Sequence, residues 1–143
     1  MRKIDTIFVH CSDSDYAHHD DISVIRKWHM DERNFNDVGY HFFVTNGGQV
    51  QIGRPIDKIP AAQYGYNTGS IAICLSGKRE FTEDQFKALR KMVKELTAKY
   101  GIQHVMGHNE VDDGKTCPNF DVKKALKEPT LLERLKLWLS NLS

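Results

Sequence analysis

The stretch Ser70–Ser76, SIAICLS, is a nearly continuous run of apolar and small residues. A run that short and that uniform reads as a strand buried in a sheet, and the rest of the chain has to be arranged around it. Ile4–His10 alternates apolar and β-branched residues and reads as a second strand ending at His10. Gly39–Thr45 (GYHFFVT) is a third, and Asn46-Gly47-Gly48 is a hairpin turn leading into Gln49–Arg54. Gln103–Gly107 is a short last strand.

Helical patterns lie between and after these strands. Asp21 is placed to cap a helix through about Arg33, with Ile22, Ile25 and Trp28 or His29 inward. Thr82 to Tyr100 is the clearest helix: Thr82 and Gln85 make a capping box, and Phe86, Leu89, Val93, Leu96 and Tyr100 fall on one face. Gly101 stands where a left-handed cap is wanted. A final helix begins at Thr130, with Glu133 completing a second capping box and Leu131, Leu135, Trp138 and Leu142 expected inward. Strands and helices intermix, so the class is α/β: one domain spanning 1–143, with a mixed central β-sheet flanked by helices.

Charge excludes some functions. Lys plus Arg number 20 against 19 Asp plus Glu, a net of +1. That balance gives no case for nucleic acid and argues against adsorption to an anionic membrane. No apolar run is long enough to span a bilayer. The N-terminal MRKIDTIFVHCS lacks the shape of a cleaved export signal, so synthesis in the cytoplasm is expected. Three cysteines, Cys11, Cys74 and Cys117, do not describe a disulfide framework.

The segment richest in chemistry is Gly107–Asp121, GHNEVDDGKTCPNFD. His108 stands at the end of an expected strand, and Cys117 follows in a loop rich in Gly and Asp. Imidazole and thiolate are both good zinc ligands. His10 also ends a strand; if the two strands are neighbours, His10, His108 and Cys117 converge. Three protein ligands leave a fourth position for water, the pattern of a catalytic zinc. The spacing alone does not separate such a site from packed or solvated residues.

The sequence resembles the type 2 N-acetylmuramoyl-L-alanine amidases, the family of the amidase-type bacteriophage lysozymes and the peptidoglycan recognition proteins. The likeness runs in order through VHCSDSD (Val9–Asp15), Trp28-His29, VGYHFFV (Val38–Val44), GYNTGSIAICLSG (Gly65–Gly77), FTEDQFKAL (Phe81–Leu89) and GHNEVDDGKTCPNFD. The resemblance implies a zinc-bearing groove on a mixed sheet, with His10, His108 and Cys117 as ligands to one zinc ion that also binds water. It implies Tyr40 as the active-site tyrosine and Lys115 as the lysine preceding the zinc cysteine. The implied reaction is hydrolysis of the amide between N-acetylmuramic acid and L-alanine in peptidoglycan. A phage or prophage endolysin fits best, reaching the wall by holin-type release or lysis. A recycling amidase of the cytosol and a non-catalytic peptidoglycan-binding module are the alternatives. The expected partner is peptidoglycan or a muropeptide, met by a monomer without membrane insertion.

Other candidates read as structural. His18-His19-Asp20-Asp21 is expected to be a solvated loop, His29 and His41 packing, and Cys11 and Cys74 small buried hydrophobes. His108-Asn109-Glu110 gives His-x-Glu, but no Pro-Cys-x-x-Cys accompanies it, which rules out a zinc deaminase. No His-Glu-x-x-His occurs, which rules out a zincin. One departure from the resembled family stands at Pro60-Ala61-Ala62-Gln63, where Ala62 replaces a groove histidine. That leaves two readings open: a missing substrate contact, or one replaced by Gln63 or Tyr64.

Overall fold

A computed structural model describes residues 2–142. Five strands form one sheet: β1 (Thr6–Cys11), β2 (Phe42–Val44), β3 (Val50–Ile52), β4 (Ser70–Leu75) and β5 (His104–Gly107). Their spatial order is β3-β2-β4-β1-β5. All neighbouring pairs are parallel except the β2–β3 hairpin. The mixed sheet expected from the sequence is the one observed. Strands β1 and β4 lie at its centre, and every residue of β4 is buried, as its unbroken apolar run requires.

Helices cover both faces. On one, α2 (Glu83–Tyr100) packs Leu89 and Met92 onto Ile7, Val9, Ile71, Ile73 and Leu75. Phe86, Val93, Leu96 and Tyr100 flank this core half-buried, so the predicted helix face is the packed one. On the other face, α1 (Ile22–Arg33) packs Ile22 and Ile25 onto Phe43 and Cys74. Asp21 caps α1 through the Ser23 N–H, and Asn34 ends it at φ 56°, taking the left-handed role often left to glycine.

The capping box of α2 also ties the sheet together. Gln85 Oε1 accepts from the Thr82 N–H while its Nε2 donates to the carbonyls of Ser76 (2.7 Å) and Val44 (3.3 Å). A fully buried amide is thereby satisfied at both ends. Beyond β5 the chain makes one 3-10 turn at His108–Glu110, then the short α3 (Val122–Leu126) and α4 (Leu131–Ser140).

α4 corrects the sequence-based expectation. Its capping box forms as anticipated, with Thr130 and Glu133 bonding each other's backbone N–H groups. None of its residues is buried, however; Leu131 is 86% exposed and Trp138 59%. Amphipathic spacing shows that an apolar face exists, and whether the body offers a surface for it is a separate matter. Here α1, α2 and α3 already cover the sheet.

Candidate metal centre

The sheet register brings the two histidines together. Val9 is paired with Gly107 across β1 and β5, so the next residues, His10 and His108, emerge side by side at the carboxyl ends of parallel strands. Their ring centroids lie 4.8 Å apart. Gly107 lets the following loop close over this end: a Cβ there would stand 2.8 Å from Pro118 Cδ.

That loop delivers Cys117. The Asn109 N–H donates to the Cys117 carbonyl at 2.9 Å, and the Cys11 N–H donates to Cys117 Sγ at 3.1 Å. One ligand atom each from His10, His108 and Cys117 lie within 4.8 Å of one another. Among the described residues this is the one His/Cys/Asp/Glu group that converges in this way. His18 and His19 touch each other ring to ring but gather no third ligand; His19 bonds Ser14 instead.

Hydrogen bonding fixes which nitrogen of His10 faces the cluster. The Asn67 carbonyl can only accept, so the Ser70 hydroxyl donates to it at 2.8 Å. Ser70 Oγ then accepts from the Gln63 amide Nε2 at 2.7 Å. That orientation turns Gln63 Oε1 toward His10 Nε2, at 2.8 Å. His10 therefore carries its proton on Nε2, and the lone pair of Nδ1 faces Cys117 Sγ at 3.7 Å. Burial depresses His10 to a pKa of about 3, despite the bond it donates to Gln63, so the imidazole is neutral at physiological pH. Of the two residues weighed as a substitute for the groove histidine, Gln63 is fully buried and bonds His10. Ala62 and Tyr64 line the groove instead.

The donor set fits zinc. Two imidazoles and one thiol are the borderline-soft ligands it prefers. The neighbouring Cys11 thiol and burial push the Cys117 thiol up, opposed by the Cys11 backbone N–H. A cation beside Cys117 would offset that penalty and hold the thiolate. His108 Nε2 lies 3.9 Å from a carboxylate oxygen of Asp112, which also lines the groove, so a negative charge stands close to the second histidine.

The cluster opens into a groove of about 590 Å³ whose lining includes Tyr40 and Lys115. Tyr40 packs its ring 5.1 Å from His10 and 5.2 Å from His29. Burial raises its pKa well above the usual phenol value. Lys115 is exposed at the rim, on a turn closed by its own N–H to the Asp112 carbonyl. His29 and His41 are buried and act in packing: His29 Nδ1 accepts from the Gly39 N–H, and His41 Nδ1 accepts from the Ala72 N–H. Of the alternatives Gln63 and Tyr64, the groove takes Tyr64, while Gln63 supports His10 from within. Asp112 was not singled out at all; its place one helical turn after His108 was the available signal.

Replacing Gln63 by Leu removes the acceptor for His10 Nε2–H while keeping the volume. Zinc affinity should fall about 10–100-fold, the usual effect of losing a ligand's outer partner. Gln63→Glu keeps an acceptor and should recover most of it. Competition against a chromophoric chelator measures both, and equal affinity in the Leu variant would remove Gln63 from this role.

A family model described as N-acetylmuramoyl-L-alanine amidase matches residues 1–120. The endolysin of Escherichia phage T7 is 38% identical over 128 residues, covering 84% of this chain and 83% of that protein. The endolysin of Klebsiella phage KP32 is 37% identical and covers 82% of each. Among solved structures, the N-acetylmuramoyl-L-alanine amidase LysC of Clostridium intestinale superposes with a TM-score of 0.74 over 97% of this chain and 87% of that one, at 22% identity. The Ph2119 endolysin of a Thermus scotoductus bacteriophage gives 0.75 over 90% and 87%, also at 22% identity. At that identity the superpositions speak for the fold alone.

Proposed function

The chain belongs to the N-acetylmuramoyl-L-alanine amidase family, and from that premise we propose that it is a zinc-dependent endolysin cutting the amide between N-acetylmuramic acid and L-alanine. The observation that carries the zinc part is the convergence of His10, His108 and Cys117 within 4.8 Å at the floor of an open groove. Similarity to phage endolysins at 35–38% identity supports the lytic role.

His10 Nδ1, His108 and Cys117 Sγ are the atoms that would hold the ion. Bound zinc polarises a carbonyl and lowers the pKa of water to about 7. The protein's own groups do the rest. Gln63 holds His10 in the one tautomer that presents Nδ1. Lys115 brings a positive charge to the groove rim, where an oxyanion developing at the lactyl carbonyl would be stabilised. Tyr40 stays protonated at neutral pH because burial raises its pKa, so it serves as a hydrogen-bond donor and not as a general base. The groove is open at its rim, which suits a polymeric substrate entering from the side. Delivery to the wall would follow release by a separate membrane-permeabilising protein.

The test is mass spectrometry of purified peptidoglycan digested by the zinc-loaded and the chelated protein. Zinc-dependent release of intact stem peptides with a free L-alanine N-terminus is the expected result. Absence of release on both intact wall and soluble muropeptides would sink the reading.

A further inference from the structure

The near-neutral charge of the whole chain conceals an uneven distribution. Residues 122–143 carry five basic side chains (Lys123, Lys124, Lys127, Arg134 and Lys136) against two acidic ones (Glu128 and Glu133), a net of +3. Subtracting these from the chain totals of 20 and 19 leaves 15 basic and 17 acidic residues in 1–121, a net of −2. The basic segment is also the one that bears α4, and it lies beyond the residues matched by the family model.

At 100° per residue, Leu131, Leu132, Leu135, Trp138 and Leu139 share an arc of about 120° on α4, and Leu142, just past its C-cap Asn141, continues the apolar run. Glu133, Arg134, Lys136, Ser140 and Asn141 occupy the rest, with Leu137 among them. The body meets the polar side: Arg134 and Leu137 border a hollow with Arg90 and Lys94 of α2. All six side chains of the apolar run are exposed, from 48% at Leu135 to 86% at Leu131. A contiguous apolar face of that size on a water-facing helix calls for a partner.

We propose that α4 is a membrane-surface anchor that lies flat on an anionic bilayer, with its leucine face and Trp138 in the headgroup boundary. A helix with Leu and Trp on one side and Arg and Lys on the other has the make-up of an interfacial helix. Trp suits that depth, having an apolar ring and an N–H that stays near water. Lys123, Lys124 and Lys127 precede it and add attraction to anionic lipid over a Debye length of about 8 Å at physiological salt. No helix of the described residues is long and apolar enough to cross a bilayer, so the helix lies on the surface. A second copy of the chain is the less favoured occupant, because pairing α4 with itself brings two segments of net +3 together. The anchor would hold the catalytic domain at the membrane face next to the wall, independently of the metal centre.

The experiment is flotation with vesicles of equal parts phosphatidylglycerol and phosphatidylcholine, beside vesicles of phosphatidylcholine alone, with Trp emission recorded. The wild-type protein should float with the anionic vesicles, shift its emission to the blue and detach as salt is raised. Leu135→Glu with Trp138→Glu should lower partition at least about tenfold while leaving turnover on lipid-free peptidoglycan unchanged. Lys123→Gln, Lys124→Gln and Lys127→Gln together, which leave α4 itself untouched, should weaken binding to the anionic vesicles alone. Wild-type protein that ignores both vesicles, or variants that bind as well as wild type, would overturn the anchor. A dimer in lipid-free buffer that the Leu135/Trp138 variant dissociates would overturn it as well, since the face would then be a self-interface.

Discussion

Cys117→Ser should yield a folded protein that binds zinc about 10²-fold more weakly and has lost nearly all turnover on peptidoglycan. The size follows from sharing the roughly 10–16 kcal/mol of a four-ligand structural zinc site among its ligands, about 3 kcal/mol each, or about two orders of magnitude. Serine does not replace the thiolate, because its hydroxyl keeps its proton where the metal needs an anion. The fold should survive the change: the Ser oxygen can accept the Cys11 N–H that now donates to Cys117 Sγ at 3.1 Å. The carbonyl of residue 117 still receives the Asn109 N–H. Metal content by mass spectrometry and thermal melting with and without zinc separate loss of metal from loss of structure. Full zinc occupancy together with full turnover in this variant would remove Cys117 from the site.

How much of this was legible in the sequence depends on the range of the interaction involved. The capping boxes at Thr82 and Thr130 and the cap at Asp21 are local patterns, and all three form where expected. The central strand at Ser70–Leu75 was visible because burial on both faces leaves an unbroken apolar run. Strand edges were less so: β2 covers only Phe42–Val44, although the His41 N–H still donates to Ala72 of β4 and its carbonyl still accepts from Gly53. The nearness of His10 to His108 required a strand pairing that no single segment encodes, and the resemblance supplied it before the β1–β5 register did. Gln63 was unreadable for a physical reason. A buried glutamine looks like a surface one until the chain Asn67–Ser70–Gln63–His10 shows where its amide is spent. The outward turn of α4 was equally hidden, because periodicity reports the face of a helix and not what covers it.

Tyr40→Phe and Lys115→Ala should each lower kcat by about 10²–10³-fold, the usual effect of losing one oxyanion-stabilising group, with zinc retained. Neither side chain belongs to the converging ligand set, so metal content should not follow turnover down. Lys115→Arg should keep part of the activity, because it preserves charge at the groove rim. If both groups stabilise the same developing charge, the double variant should lose less than the product of the two single losses. The pH dependence separates the two roles open to Tyr40. With its pKa raised by burial, the phenol stays protonated through the neutral range, and a donor then makes the ratio of wild-type to Tyr40→Phe turnover flat with pH. A general base would have to ionise first, so the same ratio would climb as pH rises toward the phenol pKa. A climbing ratio would therefore overturn the donor role even if the loss at neutral pH had the predicted size, and retained turnover in both single variants would leave the metal ligands to account for the chemistry alone.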